Sequence, residues 1–199
     1  MEGKIYFAHP VNIYNTAIEN AFIALITHEL CNGDPMAIEM AIENPNQPHH
    51  QVGYTNFAQR LKESGLNHKG MNYFFEEVLP YCAGCVAVPF LDSRFGLGVA
   101  GELRWFVERN QPVWFVSPQC LLSADDLESF IKNPTTDYFL IRSISPEEKQ
   151  LIISSDQKLV VPHEETRLRT WRVYSQEMRP YQEAHMVKMP IPEGFYPKG

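Results

Sequence analysis

A doubly wound α/β fold, a mostly parallel sheet sandwiched by helices, is the architecture this sequence predicts, and three observations predict it. Short apolar runs at Lys4–Ala8, Val86–Leu91 and Val113–Val116 read as buried strands. Segments of helical periodicity stand between them, so β and α elements alternate along the chain. The second and third runs are joined by a glycine-bearing turn and a helix, the β-loop-α-β unit from which parallel sheets are built.

The elements follow in order. Lys4-Ile-Tyr-Phe-Ala8 is a strand that begins almost at the first residue, and His9-Pro10-Val-Asn12 breaks it. Asn15 or Thr16 caps a helix with an apolar stripe of Ile18, Phe22, Leu25 and Ile26, ending at Asn32-Gly33. A short element near Met36–Ile42 and a loop at Asn44–Pro48 follow. Residues 49–70, polar and rich in His, Gly, Asn and Lys, read as a partly helical surface excursion of the kind that forms lids and binding loops. Met71–Leu79 is expected to be helical. After the Cys85–Val116 unit, Ser123-Ala-Asp-Asp126 resembles a capping box, Tyr138–Arg142 a strand, and Ser145-Pro146-Glu147-Glu148 a helix start. Leu159–Val161 is a short strand candidate and Pro162–Glu177 a helix. Pro180, Pro190, Pro192 and Pro197 mark an extended tail. The expectation is one domain over 1–199, with a Rossmann-like or flavodoxin-like core at about 4–161 and a helical, then extended, C-terminal extension over 162–199.

Bulk properties narrow the function classes. The chain is 44% hydrophobic and 21% charged, so it is globular rather than disordered. A net charge of −7 argues against coating nucleic acid, while local groups can still bind a small anion. No apolar run has the length of a membrane span, and no basic-then-apolar leader opens the chain. Four cysteines, Cys31, Cys82, Cys85 and Cys120, without secretory context point to reduced thiols in the cytoplasm.

The candidate chemistry sits behind the second strand, in Asp92-Ser-Arg94-Phe-Gly96-Leu-Gly98-Val-Ala-Gly101-Glu102. Gly96, Gly98 and Gly101 form the literal dinucleotide fingerprint G-x-G-x-x-G. That fingerprint belongs after a first strand, with an acid at the tip of the next strand; here the loop follows a middle strand and Val116-Ser-Pro118 has no acid. A dehydrogenase is therefore the third choice, and no cofactor is expected. Read through its carboxylates, the segment places Glu102 in the first helical turn, where the helix dipole favours its ionised form. Such a glutamate suits attack on an anomeric carbon. The glycines let a phosphate or sugar approach the backbone, and Asp92 at the strand end can bind a hydroxyl or protonate a leaving base.

These residues resemble a known family. The order strand–Asp92–Gly98-Val-x-x-Glu102-Leu103–helix, with the opening Ile5-Tyr-Phe-Ala-His-Pro10 strand, is similar to the nucleoside 2-deoxyribosyltransferase superfamily, which includes the deoxynucleoside 5′-monophosphate N-glycosidases. The resemblance covers about residues 4–116. It implies that Glu102 is the nucleophile and that the first strand helps bind base and sugar. It also implies a homo-oligomer whose members complete each other's pockets. The sequence departs from the family at His9, where glycine is usual, and at Ala83-Gly84-Cys85, where many members carry an acid.

The expected site is thus Glu102 and Asp92 for catalysis, with Tyr6, His9, Pro10, Asn12, Arg94, Gly96, Gly98 and Gly101 for a nucleoside or nucleotide. Arg94 can clamp a phosphate or remain solvated, His9 can move a proton or serve the fold, and Tyr6 is core with its hydroxyl at the pocket edge. Asn12 and Tyr14 are weaker candidates. Cys82-x-x-Cys85 closes a helix and enters a strand, the wrong context for a redox pair. His49 and His50 with His68 have ligand chemistry but sit in a polar segment, so no metal is expected. The function expected is cleavage or exchange of an N-glycosidic bond, with a non-catalytic nucleotide-binding module as the alternative.

Overall fold

The computed structural model describes residues 3–30, 42–66, 71–90, 93–119 and 124–162. Five strands are present: β1 (Lys4–Ala8), β2 (Ile42–Glu43), β3 (Cys82–Ala87), β4 (Val113–Pro118) and β5 (Phe139–Ser143). They form one sheet in the order β2-β1-β3-β4-β5, parallel except for β5, which runs antiparallel to β4. The α/β architecture is therefore the one the alternating pattern predicts. Helices α1 (Ala17–Leu30) and α5 (Ala124–Lys132) cover one face. Helices α2 (Pro48–Glu63), α3 (Met71–Glu77), α4 (Leu97–Glu108) and α6 (Pro146–Ser154) cover the other.

Because side chains alternate along a strand, a sheet covered on both faces feeds two cores. Tyr6 and Ala8 of β1, Cys85 and Ala87 of β3, and Val113 and Phe115 of β4 enter the core under α2, α3, α4 and α6. Ile5 and Phe7, Val86, and Val116 enter the core under α1 and α5. This is why the strands read as unbroken apolar runs rather than alternating ones.

The chain leaves β1 for β2 on one side and returns to β3 on the other. Consecutive connections part at that point, and the crevice beyond the carboxyl ends of β1 and β3 is where ligands bind in open α/β sheets. The segments that meet there are His9–Tyr14, with a 3₁₀ turn at Val11–Ile13, and Val88–Gly98 so far as it is described.

Two local predictions change. The partly helical segment expected over 49–70 holds one continuous helix, Pro48–Glu63, but it packs on the core rather than forming a surface excursion. His50, Tyr54, Phe57 and Leu61 recur at helical spacing and meet the core, while the rest of the segment is polar enough to hide them. Leu159–Val161 is not a strand but a single parallel bridge, Phe95 to Val160, closed by Phe95 N–H to Leu159 O and Val161 N–H to Phe95 O at 2.8 Å each. That bridge pins the turn in front of α4.

Elsewhere the punctuation works as read. Ser145 and Glu148 make a reciprocal capping box at the start of α6, with Pro146 in its first turn. Asn110, in the left-handed region at φ 54°, turns the chain out of α4 before Pro112. The expected element before Ile42, the capping box at Ser123, the helix after Pro162 and the tail lie outside the described residues, as do Cys31, Cys120 and His68. Among the described residues no helix is long and apolar enough to cross a membrane.

Candidate active site

Helix α4 begins at Leu97, with Gly96 as its N-cap. Glu102 is therefore its sixth residue and stands in the second turn, not the first. It falls on the same stripe as Val99, Leu103 and Phe106, and that stripe faces the core, so Glu102 is only 7% exposed. Tyr6, fully buried between Phe74 and Phe106 (ring centroids 6.4 and 6.2 Å away), donates its hydroxyl to Glu102 Oε1 at 2.8 Å. Among the described residues this is the one hydrogen bond the carboxyl makes.

The electrostatic consequence reverses the expectation of an ionised glutamate. Burial pushes the Glu102 carboxyl up to about 8, with the Tyr6 hydroxyl bond opposing the rise. The helix dipole acts within the first turn and does not reach far enough to offset the loss of water. The Tyr6 phenol is itself held well above its ordinary range by burial and by the neighbouring Glu102, so it remains a donor. At neutral pH the pair is a neutral acid and a neutral phenol.

The turn before α4 is tightly built. Phe90 N–H donates to Arg94 O at 2.8 Å and Ser93 N–H to Phe90 O at 2.9 Å, with Ser93 in the left-handed region at φ 64°. Ala100 N–H closes the first helical bond, on Gly96 O, and among the described residues no side chain caps the N-H groups before it. A Cβ built on Gly98 meets nothing within 4 Å, so its backbone is open to approach, as a ligand-facing glycine requires. Gly101 does something else: a Cβ there meets Phe75 Cζ at 3.5 Å, so it faces α3 rather than a ligand. Arg94 is half-buried in the turn. Asp92 lies outside the described residues.

His9 does not join Glu102. It alternates with Tyr6 along the chain and stacks on Phe7 (4.0 Å, 14°), on the opposite side of the sheet. Its Nδ1 faces Phe7 O at 2.8 Å and its Nε2 faces Glu19 Oε1 at 3.2 Å. Both partners are acceptors, so the ring serves both only with a proton on each nitrogen. Glu19 also accepts from Asn15 N–H at 2.5 Å, Asn44 Nδ2 at 2.8 Å and Asn46 Nδ2 at 3.1 Å. Burial alone raises this carboxyl, but His9 and the amide donors outweigh it and hold it below the usual range. His9 is thus a positioning residue of a satisfied buried network. Pro10 is buried as the N-cap of the 3₁₀ turn that contains Asn12.

Glu19 and Asn44 were missed as site residues, and Tyr14 was only a weaker candidate. Tyr14 stands over His9 (4.8 Å between rings), and its phenol is held well above its ordinary range by burial, Glu102 and Glu19 in that order. Its phenol thus lies within electrostatic reach of both carboxylates. A signal for Glu19 was available: it precedes Phe22 and Ile26 by three and seven positions, which puts a carboxylate on the apolar stripe of α1.

The two described cysteines are inert. Cys82 and Cys85 are buried and unpaired on β3, and burial pushes the Cys82 thiol up to about 12. No family model, curated protein or solved structure matches this chain.

Proposed function

We propose that this protein cleaves or exchanges the N-glycosidic bond of a nucleoside or nucleotide through a covalent bond to Glu102. The observation that carries the reading is the Tyr6–Glu102 pair: a buried carboxyl with one oxygen held at 2.8 Å and no other partner among the described residues, behind an open glycine turn at the switch point of the sheet. A carboxyl so weakly solvated is a strong nucleophile once it loses its proton. Its oxygen bonds to C1′ of the sugar as the C1′–N bond breaks, and the bonding pair leaves on the base nitrogen. Glu102 attacks after its own proton has gone to solvent, and Asp92 is the residue expected to donate a proton to that nitrogen and to take one back from the incoming water or base. Water, or a second base, then attacks C1′ and releases the carboxyl. The N-H groups of Leu97 and Gly98, uncapped among the described residues, and the open face of Gly98 suit a phosphate or sugar oxygen. The setting is the cytoplasm and the working form a homo-oligomer, for which a monomer by light scattering is the contrary result.

The neutrality of Glu102 at pH 7 also favours a second reading from another class. A protonated carboxyl donates a hydrogen bond, which suits a module that binds a nucleotide without turnover. One experiment separates the two. The purified chain is incubated with nucleosides and their 5′-monophosphates, with and without an acceptor base, beside Glu102→Gln, and free and exchanged bases are followed by chromatography. Base release lost in Glu102→Gln supports the enzyme. Tight binding of an intact nucleotide without turnover supports the module.

A further inference from the structure

Glu43 ends the edge strand β2, and His49 and His50 stand in the first turn of α2. Glu43 Oε1 faces His50 Nε2 at 2.7 Å and His49 Nε2 at 3.1 Å, and the three ligand atoms all lie within 4.8 Å of one another. Glu43 and His50 are buried; His49 is exposed, so the cluster opens to solvent on one side. The other carboxylate oxygen, Oε2, is taken by the half-exposed Lys4 ammonium, which leaves Oε1 to face the two imidazoles.

A second feature shows that His50 is held from behind. Its Nδ1 meets the Tyr73 hydroxyl at 3.1 Å. Tyr73 reaches it only because position 53 lacks a side chain: a Cβ on Gly53 stands 2.2 Å from that hydroxyl. A glycine inside a helix is less favourable than alanine. Its presence in α2, three residues after His50, keeps room for the phenol that fixes the imidazole.

We propose that Glu43, His49 and His50 bind a divalent transition-metal ion of the zinc class. Two imidazoles and one carboxylate oxygen favour such ions over calcium or magnesium, which prefer all-oxygen shells. Zinc bonds these atom types at about 2.0–2.2 Å, so atoms already this close need only part slightly to admit it. The ion takes Nε2 of each ring, and the His50 ring binds it as the tautomer with its one proton on Nδ1, donated to the Tyr73 oxygen. Remaining positions on the open side go to water. The site is separate from Glu102: Glu43 is the register partner of Tyr6 on the neighbouring strand, and Phe74 stands between, 6.4 Å from the Tyr6 ring and 5.7 Å from the His50 ring. Its ligands come from the short edge strand and from α2, so the ion clamps one to the other.

The test titrates Zn²⁺ alone into the chelator-stripped, full-length protein, with a chromophoric chelator as competitor, and repeats the titration with Co²⁺ for its visible spectrum. One ion per chain, a raised melting temperature and a tetrahedral Co²⁺ spectrum are expected. His49→Ala, at an exposed position, is expected to melt as the metal-free parent does while binding at least tenfold more weakly. Gly53→Ala, which displaces Tyr73, is expected to weaken binding roughly tenfold by the same principle. Absence of stoichiometric binding, or binding that His49→Ala and Glu43→Gln leave unchanged, overturns the proposal.

Discussion

Two carboxylates are buried against opposite faces of the same sheet, and they titrate in opposite directions. Glu19 is 3% exposed and Glu102 7%, so both have lost nearly all their water. Glu19 gathers His9, the Asn15 N–H, and the Asn44 and Asn46 amides, and is held below the usual carboxylate range. Glu102 has Tyr6 alone and rises to about 8. Burial is common to both; the number of donors decides the sign. A carboxylate with all its lone pairs engaged holds chain segments together, here the turn after β1, α1 and the loop after β2. One with a single donor keeps reactivity in reserve, and that contrast singles out Glu102 more firmly than the glycine spacing does.

The contrast breaks most visibly by substitution. Glu102→Gln keeps an acceptor for Tyr6 but cannot attack carbon, so base release is expected to fall by at least about 1,000-fold while the far-UV circular dichroism of the folded protein is retained. Glu19→Ala is expected to do the reverse in kind. It strands the His9 ring and three amide donors without their acceptor, a loss of about 3–5 kcal/mol in denaturant unfolding. Glu19→Ala as stable as the parent means that the network is not what holds these segments.

How much of this was legible in the sequence depends on the length scale of the signal. The fold was, because buried parallel strands and the stripe of α4 are written in contiguous residues. The position of Glu102 was legible, but its state was not. A helix that already starts at Leu97 turns the expected first-turn carboxylate near the dipole into a second-turn one facing Tyr6, 96 positions away. His9 drew attention as a histidine at a strand end, yet strand alternation alone sends it to the face opposite Tyr6. The Glu43 cluster was half visible, in the His49-His50 pair. Its third member comes from a two-residue strand that no periodicity announces.

The proton on Glu102 gives a pH test of the comparison. Its folded-state value, about 8, lies above the ordinary 4.5, so between these limits the folded protein holds a proton that the unfolded chain has lost. The stabilisation from keeping Glu102 neutral is complete below about pH 4.5 and shrinks as pH rises towards 8. The stability of the parent relative to Glu102→Gln is therefore expected to fall by about 1.4 kcal/mol per pH unit across that window and to level off above it. A difference that stays flat from pH 5 to 8 means that the carboxyl is ionised throughout.

The smallest expected effect sharpens the same point. The Tyr6 hydroxyl lowers the Glu102 value against the rise from burial, so Tyr6→Phe is expected to move it further up, by roughly one unit if the bond contributes the about 1–1.5 kcal/mol typical of its kind. The carboxyl resonance of Glu102, followed by carbon NMR across pH 6–10, reads that shift directly. If Glu102 is the nucleophile, the rising limb of kcat/KM against pH must move with it, because only the ionised form attacks. The site already has one donor where Glu19 has four, and removing it takes the comparison to its limit: a carboxyl with burial and no donor among the described residues. A limb that stays in place while the resonance shifts assigns the attacking group to another residue.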